Sequence, residues 1–120
     1  MSNLEYSIKE HPDFLWVSLK GRYTPSDFAE LIDALHTEAE ERGVARILCD
    51  SQRVSGNILA SEEFRLGVSI ADVWKSSLKV AFVPPPGMFT TLLENAAVNR
   101  GANVFVCSDL NTAMDWLTKA

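Results

Sequence analysis

Two short apolar runs open the chain, Tyr6 to Glu10 and Phe14 to Lys20, separated by His11-Pro12-Asp13. In the second run Phe14, Trp16 and Ser18 alternate with Leu15, Val17 and Leu19, the alternation of a strand with two different faces. The pair predicts an antiparallel hairpin. Thr24-Pro25-Ser26-Asp27 then supplies a hydroxyl cap, a proline for the first helical position and an acid for the first turn. Phe28, Leu31, Ile32, Leu35 and Ala39 recur behind it at helical spacing, with Glu30, Asp33, Glu38, Glu40 and Glu41 mostly off that stripe. Gly43 is placed to end the helix in the left-handed conformation.

Arg46 to Asp50 reads as a buried strand whose acid marks its emergence into solvent. A polar loop leads to Ser61-Glu62-Glu63, predicted to cap and charge a second helix with Phe64, Gly67, Val68, Ala71 and Trp74 facing inward, ended by Lys75-Ser76-Ser77. Lys79 to Val83 is another continuous apolar strand, stopped by Pro84-Pro85-Pro86-Gly87. A third helix is expected to bury Phe89, Leu92, Leu93, Ala96 and Ala97 and to stop at Gly101, before a strand over Val104 to Cys107. Asp109 caps a last helix packed through Leu110, Ala113, Met114 and Leu117.

The order β-β-α-β-α-β-α-β-α implies an α/β fold with right-handed crossovers and a mixed, mainly parallel sheet carrying an N-terminal antiparallel hairpin. Arg46–Asp50 should lie inside that sheet, parallel to Lys79–Val83, with Ile47 and Val80 buried. Sites in such sheets gather beyond the carboxyl ends of the strands. Here that rim comprises Asp50 to Ala60, Pro84 to Met88, and Ser108-Asp109.

Composition narrows the class. The 120 residues, 47% of them hydrophobic, suit a single domain over 1–120 that needs neither disulfide nor metal. A formal net charge of -5 disfavours nucleic acid and anionic membranes as partners. The start Met1-Ser2-Asn3-Leu4-Glu5 lacks a signal-peptide pattern and no apolar run would span a bilayer, so the cytoplasm is the expected location. Cys49 and Cys107 sit in apolar runs far apart and read as buried fillers.

Catalytic patterns are missing. No strand is followed by a glycine-rich phosphate loop or dinucleotide fingerprint, so no cofactor is implied. His11 and His36 are not at metal-ligand spacing and read as solvated surface residues. Asp50 would raise the thiol pKa of Cys49, and Val54-Ser55-Gly56 lacks the spacing of a nucleophile elbow. Arg100, at the end of the third helix, suits its dipole, and Trp74 and Trp116 read as packing residues. A binding module is expected in place of an enzyme.

A set of residues runs in a familiar order: Gly21 with Thr24 and Asp27-Phe28, Arg46-Ile47-Leu48 with Asp50, Ser55-Gly56, Glu63-Phe64 with Leu66-Gly67, Lys79-Val80-Ala81, Asn99-Arg100-Gly101, and Trp116-Leu117. This resembles the STAS/SpoIIAA-like family of small bacterial proteins over nearly the whole chain. The resemblance implies a STAS-like fold, no enzymatic activity, and a role in protein–protein switching or in binding a small apolar or lipid-like ligand. Self-association into a homodimer is also left open. In anti-sigma factor antagonists of this type a switch serine stands beside a glycine after a strand-end acid; Asp50 matches the acid, and Ser55-Gly56 is the nearest match to the serine and glycine. This sequence departs from the pattern where Asn57-Ile58-Leu59-Ala60 separates Ser55 from Ser61. The binding or regulatory residues expected on this basis are Asp50, Ser51, Ser55, Gly56 and Ser61, with Ile58, Leu59, Met88 and Phe89 as an apolar lining of the same rim.

Overall fold

The computed structural model describes residues 3–119, with β1 (Leu4–Glu10), β2 (Leu15–Arg22), α1 (Pro25–Arg42), β3 (Arg46–Ser55), α2 (Ala60–Trp74), β4 (Lys79–Val83), α3 (Leu92–Val98), β5 (Asn103–Val106) and α4 (Leu110–Thr118) in chain order. This is the expected element order. The strands form one sheet in the order β1-β2-β3-β4-β5, with β1 antiparallel to β2 and every other pairing parallel. β3 is internal, Ile47 lies opposite Val80, and both are fully buried.

Because each parallel strand is followed by its immediate neighbour, the three crossovers turn in the same sense and lay α1, α2 and α3 on one face. Leu15, Val17, Leu19, Ile47, Cys49, Val80 and Phe82 point to that face and form the main core with them. The intervening residues Leu48, Ala81 and Val83 point the other way and pack with Phe14 under Ala113 and Leu117 of α4. Beyond α4 the second face is open over β1 and β2, where Ser7, Ser18 and Lys20 are exposed.

Local signals explain several boundaries. Thr24 Oγ1 accepts the Asp27 N–H at 3.2 Å, Pro25 opens α1, and Gly43 closes it at φ 65°. Asp109 caps α4 by accepting the Thr112 N–H at 2.8 Å. Trp74 ends α2 inside the core, where its indole N–H donates to the Ile32 carbonyl at 2.8 Å and its ring stacks on Phe82.

Other boundaries move. β1 begins at Leu4, β2 runs to Arg22, and β3 continues past Asp50 to Ser55 because β2 offers it a partner: after a bulge, Lys20 pairs with Arg53 and Arg22 with Ser55. The segment expected to be a loop from Asp50 is therefore mostly strand. On α2 the inward line is Glu63, Leu66, Gly67, Ile70, Ala71 and Trp74, while Phe64 stays 43% exposed and Val68 only half-buried. The helix is turned this way because Glu63 bonds to the start of α3 and Gly67 meets it without a side chain; a Cβ there would lie 2.5 Å from the Leu93 carbonyl oxygen. α3 begins only at Leu92, so Phe89 precedes it, and Leu92 itself is exposed. β5 ends at Val106, one residue before Cys107.

Candidate functional site

The carboxyl ends of the strands do not finish level. β4 stops at Val83, opposite Asp50, whereas β3 runs on to Ser55 with only β2 beside it. At its tip the Ser55 carbonyl accepts the Tyr23 N–H at 2.8 Å and the Ser55 hydroxyl donates to the Gly21 carbonyl at 3.3 Å. Gly56 then turns the chain at φ 110°, where any side chain would be strained. Ser55 is thus an exposed strand-end residue held by one bond to the end of β2 and one to the β2–α1 connection.

α2 starts earlier than its serine suggests. Ser61 is not the cap: Leu59 holds that position, and the carboxylate of Glu62 reaches back to accept the Leu59 N–H at 3.0 Å. A leucine has no acceptor to return the bond, so only one half of a capping box forms. Placing the cap at Leu59 puts Glu62 three residues on, the spacing this bond needs; a start at Ser61 would put Phe64 there. Glu62 and Glu63 both lie in the first turn, where carboxylates suit the helix dipole.

Glu63 is the residue the sequence reading missed. Its carboxylate is almost fully buried and accepts the Thr90 N–H, the Thr90 hydroxyl and the Leu93 N–H at 3.0 to 3.3 Å. Thr91 caps α3 in position but makes no side-chain cap bond, so Glu63 satisfies that helix start from the neighbouring helix. The start of α2 and the turn leading into α3 are thereby tied together. The available signal was its spacing, since Glu63, Gly67, Ile70 and Trp74 share one helix face.

Under these segments runs an aromatic chain. Tyr23 packs against Phe28 at 6.1 Å, and Phe28 meets Phe82 at 6.0 Å and Phe89 edge-on at 6.2 Å. The Tyr23 hydroxyl is buried with no hydrogen-bond partner among the described residues, and burial, followed by the nearby Glu62 carboxylate, pushes its pKa up to about 12.

The nine expected site residues therefore separate. Ser55, Gly56, Ile58 and Leu59 fall within one five-residue stretch; Ile58, Met88 and Phe89 are half-buried against the main core, and Leu59 is 63% exposed. Ser61 is exposed in the first turn of α2. Ser51 is not on the rim at all: it is buried, its hydroxyl 3.7 Å from the Cys49 sulfur, because residues 47, 49 and 51 alternate toward the main core. Asp50 points to the opposite sheet face, where one carboxylate oxygen accepts the Gln52 N–H at 3.3 Å. Of the four apolar rim residues, Phe89 alone borders the concavity of about 520 Å³ between the Pro84–Gly87 turn, the start of α3 and the end of β5.

Burial pushes the Cys49 thiol up to about 12 and also raises that of Cys107. His11 stacks on Phe14 at 4.1 Å in the hairpin turn, and His36 lies 3.3 Å from Glu40 on α1. Arg100 donates to the Ala96 carbonyl at 3.1 Å and covers the Phe64 ring, the helix-end role expected of it. Among the described residues no group of three or more His, Cys, Asp or Glu side chains could hold a metal ion, and no helix is long and apolar enough to cross a membrane.

No family model matches the chain, and no curated protein matches it in sequence. Solved structures do resemble it. An anti-sigma factor antagonist from Mycobacterium paratuberculosis matches with a TM-score of 0.63 at 10% identity, covering 97% of this chain and 95% of that one. A DUF3478 family protein with a SpoIIAA-like fold from Shewanella loihica matches at 0.54 and 22% identity, over 96% and 93% of the two chains. The anti-sigma factor antagonist SpoIIAA in its unphosphorylated form matches at 0.57 and 9% identity, over 94% and 96%. The chain has the SpoIIAA-like, or STAS-like, fold.

Proposed function

We propose that this chain is a non-enzymatic regulatory binding module that engages a protein partner through the turn from Ser55 to the start of α2. The observation that carries this reading is Leu59: an apolar side chain 63% exposed, at a helix start whose backbone is fixed by Glu62 and whose first turn is tied to α3 by Glu63. A large apolar side chain in solvent on a rigid element is what a partner can bury with little ordering cost. Burying one leucine contributes about 1.5 to 3 kcal/mol, or roughly tenfold or more in affinity. Two of the proteins that share the fold are anti-sigma factor antagonists, whose action is a protein–protein one by name. Ser55 and Gly56 sit beside Leu59, exposed and in reach of a partner or of a modifying enzyme.

The test is site-specific photo-crosslinking in cells of the source organism, with the probe at position 59, 55 or 40. One shared adduct from positions 59 and 55, absent from position 40, is expected; Ser55→Asp and Leu59→Ala should weaken that complex about tenfold or more, and Glu40→Ala should leave it unchanged. An adduct of equal yield from position 40, or a complex indifferent to both rim variants, would move the contact surface elsewhere.

A further inference from the structure

The open half of the second sheet face carries a chemistry that the Ser55–Leu59 turn does not use. Strand register lays three rows across it. Ser7, Ser18 and Asp50 pair directly in the middle row; Lys9 and Trp16 pair on one side, and Glu5, Lys20 and Arg53 on the other. The bulge in β3 matters here, because the extra residue brings Arg53 to the same face as Lys20. Together the rows form two adjoining concavities of about 660 and 530 Å³ that share Ser7, Ser18 and Arg53, within the range of small-molecule sites.

The floor contrasts with its continuation under α4. On β3, Leu48 faces that helix and is fully buried, while Asp50, the next residue on the same face, is a carboxylate. A second helix packed over β1 and β2 would have to dehydrate Asp50 and two serines, which is costly without a partner for each. A small polar ligand would not. Among the described residues Asp50 accepts from the Gln52 N–H alone, so it retains acceptor capacity for hydroxyl donors. Among the described residues Lys9 and Arg53 are paired with no carboxylate, Lys20 is held loosely by Glu5 at 3.8 Å, and Glu10 is turned away to Arg42 at 3.2 Å. On a chain of net charge -5 this is a local concentration of cations around an acceptor.

We infer that this trough is a second binding site, taking a small polyhydroxylated anion such as a sugar phosphate or sugar acid. Asp50 and the hydroxyls of Ser7 and Ser18 take the ligand's hydroxyl groups, Arg53 with Lys20 beside it takes the acid group, and the half-buried Trp16 ring forms one wall.

Proton–nitrogen correlation spectra of the labelled full chain, titrated with glucose 6-phosphate and separately with gluconate, test this directly. Saturable shifts at the amides of Ser7, Ser18, Gln52 and Arg53 are expected with at least one of the two, at a dissociation constant on the order of 1 mM. Glucose and inorganic phosphate should each bind about tenfold more weakly. Arg53→Ala and Asp50→Asn, both at positions outside the two cores, should weaken binding at least about fivefold with an unchanged unfolding midpoint, and Leu59→Ala should have no effect. The proposal is overturned if neither compound gives a saturable shift in the trough, if inorganic phosphate binds as well as they do, or if the two trough variants bind normally.

Discussion

Removing the Glu63 carboxylate should be among the most damaging single changes to this protein. Glu63→Ala leaves the Leu93 N–H dry, since Leu93 is fully buried, and strips the Thr90 N–H and hydroxyl of their acceptor. A hydrogen bond to a charged group contributes about 1.5 to 3 kcal/mol, and a buried donor left unpaired costs its desolvation as well. Thr90 is exposed enough to recover water, so the Leu93 bond dominates, and the sum is about 3 to 5 kcal/mol. That is a large part of the roughly 5 to 15 kcal/mol that holds a domain of this size together. Glu63→Gln keeps one acceptor oxygen but turns an amide toward the remaining donors, and should cost about 1.5 to 3 kcal/mol. Thr90→Ala removes only the hydroxyl, for about 0.5 to 1.5 kcal/mol. Urea unfolding followed by fluorescence, with Trp74 buried in the core as a reporter, gives all three numbers, and amide exchange at Leu93 should quicken in step. A loss below about 1 kcal/mol for Glu63→Ala, or Glu63→Gln as harmful as Glu63→Ala, would refute the capping role.

Gly67→Ala should destabilise by about 1 to 3 kcal/mol despite the better helix propensity of alanine, because its Cβ would stand 2.5 Å from the Leu93 carbonyl oxygen and 2.7 Å from the Ala96 Cβ; an unfolding midpoint equal to or above that of the parent chain would show that α2 and α3 are less closely packed. Cys49, raised to about 12 by burial, should react with a thiol reagent at pH 8 only after unfolding, whereas half-buried Cys107 should react slowly in the folded chain. Its rate should still be climbing above pH 9, because a raised pKa keeps the thiol protonated at lower pH, and equal native labelling of the two cysteines would contradict their placement. Ile58→Ala should cost about 1 to 3 kcal/mol through lost packing and Leu59→Ala less than about 0.5 kcal/mol, so thermal unfolding of the pair checks which side chain anchors the turn.

Features decided within a few residues were legible in the sequence. Thr24 with Pro25, Gly43 and Asp109 mark helix ends by their own side chains or backbone, and each marks the boundary it was expected to mark. The alternation of β2 also read correctly, since Phe14 and Trp16 face α4 while Leu15, Val17 and Leu19 face the main core. What escaped depends on distant partners. The length of β3 is set by how far β2 extends beside it, and its polar residues Gln52 and Arg53 resemble a loop because no helix covers that half of the face. Glu63 looked like a first-turn acid on a solvated helix because its donors, Thr90 and Leu93, lie 27 and 30 residues away. Ser51 could have been placed by continuing the alternation of Ile47 and Cys49 toward the core.

The overrun of β3 past β4 is what allows one strand to serve two surfaces. From Asp50 onward it presents Asp50 and Arg53 to the open trough and Ser51 and Val54 to the main core, then delivers Ser55 and Gly56 to the turn before α2. The buried members anchor the strand from the helix side, so the trough and the turn rest on a common support without sharing a hydrogen-bond partner: Asp50 is bonded to Gln52, and Ser55 to Gly21 and Tyr23. Sites with no shared partner perturb one another little, typically within about 0.5 kcal/mol. Changes at Arg53 and at Leu59 should therefore act independently on any two ligands.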